Sequence, residues 1–124
     1  MNFKNQSFSK SVSNAIKGIK IALISERNIK IQLTMLILVA VFGWILKFSN
    51  IEWAIIILTS IGVLVAELIN TSIEMTIDMF CHNEFNLLAK KSKDIAAGAV
   101  LLTSVGALII GSIVIIPKII AIIK

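Results

Sequence analysis

Three long apolar runs divide the chain. Residues 31–46, 53–66 and 95–116 are sixteen, fourteen and twenty-two residues without a charge. About twenty apolar residues carry a helix across the hydrocarbon of a bilayer. With their flanks, the runs predict spans at about 29–48, 51–80 and 93–117. The second is longer than a bilayer needs, so its last turns should emerge into water. Ser49-Asn50 predicts a short turn between the first two, and residues 81–92, opening with Cys81-His82-Asn83, a polar loop before the third. Pro117 and Lys118 are expected to close the third span, and its Gly98, Gly106 and Gly111 offer small surfaces for close helix contact.

Ahead of the spans the pattern changes. Apolar residues recur at 8, 12, 15, 16, 19, 22 and 23, with Lys10, Asn14, Lys17 and Lys20 between them. That stripe with a basic opposite face predicts an amphipathic surface helix over about 8–24, lying in the membrane interface. Residues 1–7 are polar and expected to fray. Ser25-Glu26-Arg27-Asn28 makes a polar joint, with Ser25 as a candidate helix N-cap and Glu26 spaced four from Lys30 for a local ion pair. The fold class is an all-α membrane protein of one domain, 1–124: a surface helix plus three transmembrane helices.

Composition agrees, since 57% hydrophobic residues and a mean hydropathy of +0.96 leave too little polar surface for a soluble globule. The net charge of +5 raises nucleic acid as a partner, but its distribution argues for a membrane instead. Lys4, Lys10, Lys17, Lys20, Arg27 and Lys30 precede the first run, and Lys90, Lys91 and Lys93 lie between the second and third. Only Lys47 marks the first loop, and only Lys118 and Lys124 the C-terminus. Positive residues on alternate sides predict three spans with the N-terminus in the cytoplasm. No basic groove interleaved with aromatics supports nucleic-acid binding. A lone Cys81 allows neither an intrachain disulfide nor a CxxC metal motif, and no cleavable signal peptide is expected.

One stretch breaks the apolar pattern. Within AELINTSIEMTID, residues 66–78, Glu67, Asn70, Glu74 and Asp78 fall at roughly 0°, 300°, 340° and 20° on a helical projection, so they share a face. Polar groups entering a spanning helix are costly and usually functional. Glu26, Lys30, Lys93 and Asp94 should reach the same cytoplasmic leaflet. Grouped carboxylates suit Mg²⁺, which takes one or two of them plus nucleotide phosphates. A carboxylate away from water can accept a proton from a hydroxyl, and a lysine can steady phosphate charge. Those are the parts of phosphoryl transfer to a lipid alcohol. From spacing alone, a structural or ion-conducting polar cluster explains the stripe equally well. The absence of GxxxxGK[ST] and GxGxxG loops excludes a conventional nucleotide-binding domain. Plainer readings stand for several residues: Glu52 as an interfacial acid, Asp94 as a helix cap, Asp78 as the wet end of a helix and His82 as a solvated loop residue.

AELINTSIEMTID, followed by KKSKDIAAGAVLL at 90–102, resembles the signature of the prokaryotic diacylglycerol kinase family. That signature runs A/V-E-x-x-N-(S/T)-x-I-E-x-x-x-D, a loop with E-Y-H, then A-K-D-x-(A/G)-(A/S)-(A/G)-A-V. ERNIKIQ at 26–32 and NAIKGI at 14–19 resemble its upstream elements, so the likeness covers nearly the whole chain. It implies an integral-membrane lipid kinase working as a homotrimer with active sites shared between subunits. By that resemblance Glu67 is the general base, Asn70 orders the centre, and Glu26 and Glu74 hold Mg²⁺ on the phosphates of ATP. Asn14, Glu26, Glu74, Glu84, Lys93 and Asp94 would contact the nucleotide, and Glu67 and Lys30 the lipid. Phe85 and Asn86 replace the family's tyrosine and histidine, and Lys30 stands where many relatives have arginine, whose bidentate binding lysine lacks. Members resembling those of Gram-positive bacteria phosphorylate undecaprenol, and ERNIKIQ and KDIAAGAVLL look more like that branch. Undecaprenol is therefore the expected acceptor, with diacylglycerol the alternative. A small oligomeric ion-conducting protein, or a scaffold for a larger membrane enzyme, are the readings of another class.

Overall fold

A computed structural model describes residues 7–82 and 84–123. The expected frayed start, including Lys4, lies outside the described residues apart from Ser7, as do Asn83 of the expected loop and Lys124. Four helices follow in order: α1 (Phe8–Ser25), α2 (Arg27–Ile45), α3 (Asn50–Cys81) and α4 (Leu87–Ile123). The last three are each long and apolar enough to cross a membrane. α3 packs mainly on α4, with α2 and α1 joining it more lightly. The interior is small: Ala22, Ile29, Phe48, Ile56, Val63 and Ala96 are buried, along with Glu67, Asn70 and Thr71. Most large apolar side chains face outward, as lipid-facing residues do. Gly98, Gly106 and Gly111 have nothing within 4 Å of where a Cβ would sit, so the close contact expected of them is not made within this chain.

The break between α1 and α2 rests on one residue. Glu26 is extended (φ −98°, ψ 121°), and its N–H still bonds Ala22 O at 2.9 Å. It, and not Ser25, occupies the N-cap position of α2. Ser25 is still helical, and its hydroxyl donates back to Ile21 O at 3.0 Å. The expected Glu26–Lys30 pair is not made either. Lys30 Nζ instead donates to Ile24 O at 2.9 Å, one of the last carbonyls of α1, which the helix leaves without a partner. A break at Glu26 takes the two residues off a continuous helix, so their spacing of four no longer places them together.

The α2–α3 turn is built more tightly. Lys47 adopts a left-handed conformation (φ 53°), Phe48 N–H bonds Gly43 O at 2.9 Å and Lys47 N–H bonds Trp44 O at 3.3 Å, which is the Schellman pattern. That turn folds Phe48 back over Gly43. Ser49 then caps α3 reciprocally with Glu52: Glu52 N–H donates to Ser49 Oγ at 3.3 Å and Ser49 N–H to Glu52 Oε2 at 2.6 Å. Glu52 also accepts Lys118 Nζ at 3.0 Å, and that ammonium lies 5.7 Å from the Phe48 ring centroid. The glutamate expected to be merely interfacial thus ties α4 to the start of α3. Lys118 is part of a helix that continues through Pro117 to Ile123, where the sequence predicted a stop. In a surrounding of apolar residues the helix is the only way to satisfy the following backbone groups.

α4 likewise begins earlier than expected. Asn86 Oδ1 accepts the N–H groups of Leu88 (2.9 Å) and Ala89 (3.1 Å), so the polar segment expected to be loop through residue 92 is helical from Leu87. Hydropathy marks where a helix enters lipid, whereas the cap marks where it starts.

At Gly43 an added Cβ would lie 2.7 Å from Phe48 Cδ2 and 2.8 Å from Trp53 Cη2, inside a ring pair whose centroids are 5.4 Å apart. Gly43→Ala should therefore destabilise the protein by about 1–3 kcal/mol. Thermal denaturation in detergent checks this; an unchanged melting temperature would show that the rings shift freely.

Candidate functional site

Burial makes the acidic stripe unusual. Glu67 is 1% exposed, Asn70 7% and Thr71 4%, all on α3. Placing a carboxylate so deep carries a desolvation penalty of several kcal/mol. Among the described residues, no lysine or arginine forms a salt bridge with it. Its partner is neutral: Gln32 Nε2, from the first turns of α2, donates to Glu67 Oε2 at 3.5 Å. One turn along, Asn70 Nδ2 donates to Glu74 Oε1 at 3.0 Å, fixing a half-buried carboxylate. Farther on, Lys93 of α4 pairs with Asp78, and Lys90 Nζ pairs with Asp94 Oδ2 at 2.7 Å. The stripe is a ladder in which each acid has its own donor.

Two clefts border the ladder. Next to Gln32, the partner of Glu67, an apolar cleft of about 240 Å³ opens between α2, α3 and α4, lined by Gln32, Met35, Val39, Val63, Leu64, Ser104 and Leu108 among others. At the far end of α3 a polar cleft of about 440 Å³ is lined by Asp78, Cys81, Glu84, Phe85, Asn86, Lys93 and Asp94. One suits a hydrocarbon chain and the other a charged, water-borne group.

The remaining sequence-predicted residues are placed as follows. Glu26 is half-buried at the α1–α2 joint. Asn14 is exposed on α1 and Lys30 on α2, while Glu84 lies on the connection from α3 to α4, where its N–H bonds Cys81 O at 2.7 Å. Asp94 is two turns inside α4 and bonds Lys90, so it does not cap that helix. Among the described residues no three His, Cys, Asp or Glu side chains lie close enough to hold a metal. That donor set fits Mg²⁺ nonetheless, since it commonly takes one or two carboxylates and completes its shell with phosphate and water. Glu74, braced by Asn70, offers one carboxylate of the kind such a shell uses.

Two polar residues of the site escaped sequence reasoning. Gln32 opens a run that counts as uncharged, so a charge tally passes over it. Thr71 lies on the same projected face as Glu67. The hydroxyls of Thr34, Thr59, Thr76 and Thr103 each bond the carbonyl four residues back, at 2.7–3.1 Å. Buried Thr71 Oγ1 has no such partner, and neither do Asn70 Oδ1 and Gln32 Oε1. Such unpaired buried polar atoms are uncommon and call for an explanation.

Comparison with known proteins adds lineage to this geometry. Residues 13–115 match the family model described as prokaryotic diacylglycerol kinase. The chain is 39% identical over 111 residues to the undecaprenol kinase of Bacillus subtilis, covering 90% of this chain and 89% of that protein. It is 34% identical over 104 residues to a diacylglycerol kinase of Synechocystis, covering 84% of this chain and 59% of the relative. A diacylglycerol kinase of Helicobacter pylori is 38% identical over 85 residues, 68% of this chain and 66% of its own length.

Proposed function

The chain belongs to the prokaryotic diacylglycerol kinase family and is a membrane lipid kinase with ATP as phosphoryl donor, and from that premise we propose that its acceptor is undecaprenol. The observation that carries the reading is a buried glutamate, Glu67, hydrogen-bonded to Gln32, which itself lines the apolar cleft between α2, α3 and α4. The near-complete overlap with the Bacillus subtilis protein supports undecaprenol over diacylglycerol. Family membership displaces the ion-conducting and scaffold readings.

In the proposed reaction the lipid hydroxyl gives its proton to the Glu67 carboxylate. Its oxygen forms a bond to the γ-phosphorus while the bond from that phosphorus to the β,γ-bridging oxygen breaks, releasing ADP. Mg²⁺, held by Glu26 and Glu74, would offset the charge of the phosphates. Asn70 keeps Glu74 in place, as its 3.0 Å hydrogen bond supports. Lys93 and Asp94, with Glu84 and Asn14, would receive the nucleotide at the polar cleft, and Lys30 would meet the lipid headgroup. The lysines flanking the first and third spans favour a cytoplasmic site and N-terminus, with α1 lying in the interface. We place the enzyme as a homotrimer whose subunits share sites. The open space beside Gly98, Gly106 and Gly111 favours this assembly.

Purified protein given equal undecaprenol and diacylglycerol with labelled ATP and Mg²⁺ should yield mainly undecaprenyl phosphate; mainly phosphatidic acid would reverse the assignment. Glu67→Gln should lower kcat by about 10²–10⁴-fold with the assembly intact by size-exclusion chromatography, and an active variant would remove Glu67 from the proton-accepting role. Lys93→Met should raise the KM for ATP about tenfold or more, the loss of one charge-assisted contact, whereas an unchanged KM would place the nucleotide elsewhere.

A further inference from the structure

Among the described residues, Glu67 has one side-chain donor, and that donor comes from another helix. Gln32 Nε2 reaches Glu67 Oε2 at 3.5 Å across the α2–α3 interface. The other end of the same amide, Oε1, is buried and accepts no hydrogen bond. The side chain is therefore anchored by its Nε2 end alone, on the buried acid. A glutamine in an apolar groove is costly to keep, because each unpaired amide group loses its hydration. Residues that only fill space beside Met35 and Val63 have no need of an amide. Gln32 also lines the apolar cleft, so it stands at the boundary between the lipid-sized groove and the carboxylate.

We propose that Gln32 is a positioning residue for the phosphoryl transfer: its amide N–H holds one oxygen of Glu67 so that the other is presented to the lipid hydroxyl entering from the cleft. This rests on the reading of Glu67 as proton acceptor. A carboxylate with no partner can rotate about its terminal torsion, which is broad and roughly two-fold, and a small misplacement of a base costs rate without costing affinity. The bond is long without substrate, and bonds of this kind tighten when the reacting complex forms. Gln32 takes no proton and touches no phosphate in this role. Its effect passes through Glu67.

The role separates from mere packing by the kinetic constant that changes. Gln32→Met keeps the volume and removes the donor, and Gln32→Ser leaves only a hydroxyl too short to reach Glu67. Both should lower kcat about ten- to a hundredfold, the range for losing one orienting contact. The KM for lipid and for ATP should stay within about threefold. Gln32→His, which restores a ring N–H, should recover a large part of kcat. Glu67→Gln is measured beside them. Should Glu67→Gln be inactive while Gln32→Met and Gln32→Ser both keep kcat within twofold, or lose only lipid KM, the positioning role is wrong and the proton-acceptor reading survives. Should Glu67→Gln itself turn over normally, the underlying reading fails first. Loss in Gln32→His as deep as in Gln32→Met would also overturn the proposal, since the donor would then be irrelevant.

Discussion

The constraint on which this molecule turns is the burial of a carboxylate among helices that have no cation to give it. Glu67 sits 1% exposed in α3, held by a neutral amide from α2. A protein selected for stability alone would place leucine there, since replacing buried charge by well-packed apolar groups is commonly neutral or stabilising. The proposed proton transfer gives a reason to retain the acid. Farther along α3, Asn70 donates to half-buried Glu74 and Lys93 pairs with exposed Asp78. The polarity of the stripe rises toward the end of the helix, from an amide partner to an ammonium. It leads from a groove suited to hydrocarbon to a cleft suited to phosphate.

The end of the bundle opposite the stripe solves a different problem. Three helices with few buried contacts must still be held in register. The Schellman turn at Lys47, the Ser49–Glu52 capping box, the Phe48–Trp53 ring pair and the Lys118–Glu52 ion pair lie within a few residues of one another. They fasten α2, α3 and α4 at that end, while the proposed site lies along the acidic stripe. A lipid kinase needs this asymmetry, because its acceptor diffuses in the bilayer and its donor in water.

Much of this was legible in the sequence. Long apolar runs can only be helices in lipid, so three long apolar helices and an all-α fold follow from hydropathy. The shared face of Glu67, Asn70, Glu74 and Asp78 follows from a period of 3.6. Helix ends were less legible, because they are decided by single hydrogen bonds. Asn86 starts α4 well before hydropathy rises, Glu26 takes the cap position expected of Ser25, and Lys118 is drawn to Glu52 in a helix that passes Pro117. Pairings between helices were the least legible. Nothing in the spacing of Gln32 and Glu67, thirty-five residues apart, announces their contact. Local pairs misled for the same reason: Glu26 and Lys30 have the right spacing on a helix that breaks at Glu26.

The central idea is that a lipid alcohol comes up the apolar groove to meet this one acid. A structure determined with a short polyprenol and a non-hydrolysable ATP analogue tests it most directly. The account predicts the alcohol oxygen within about 3 Å of a Glu67 carboxylate oxygen, in line with the terminal phosphate. An alcohol bound at another acid, or a Glu67 side chain facing away from both substrates, would contradict it.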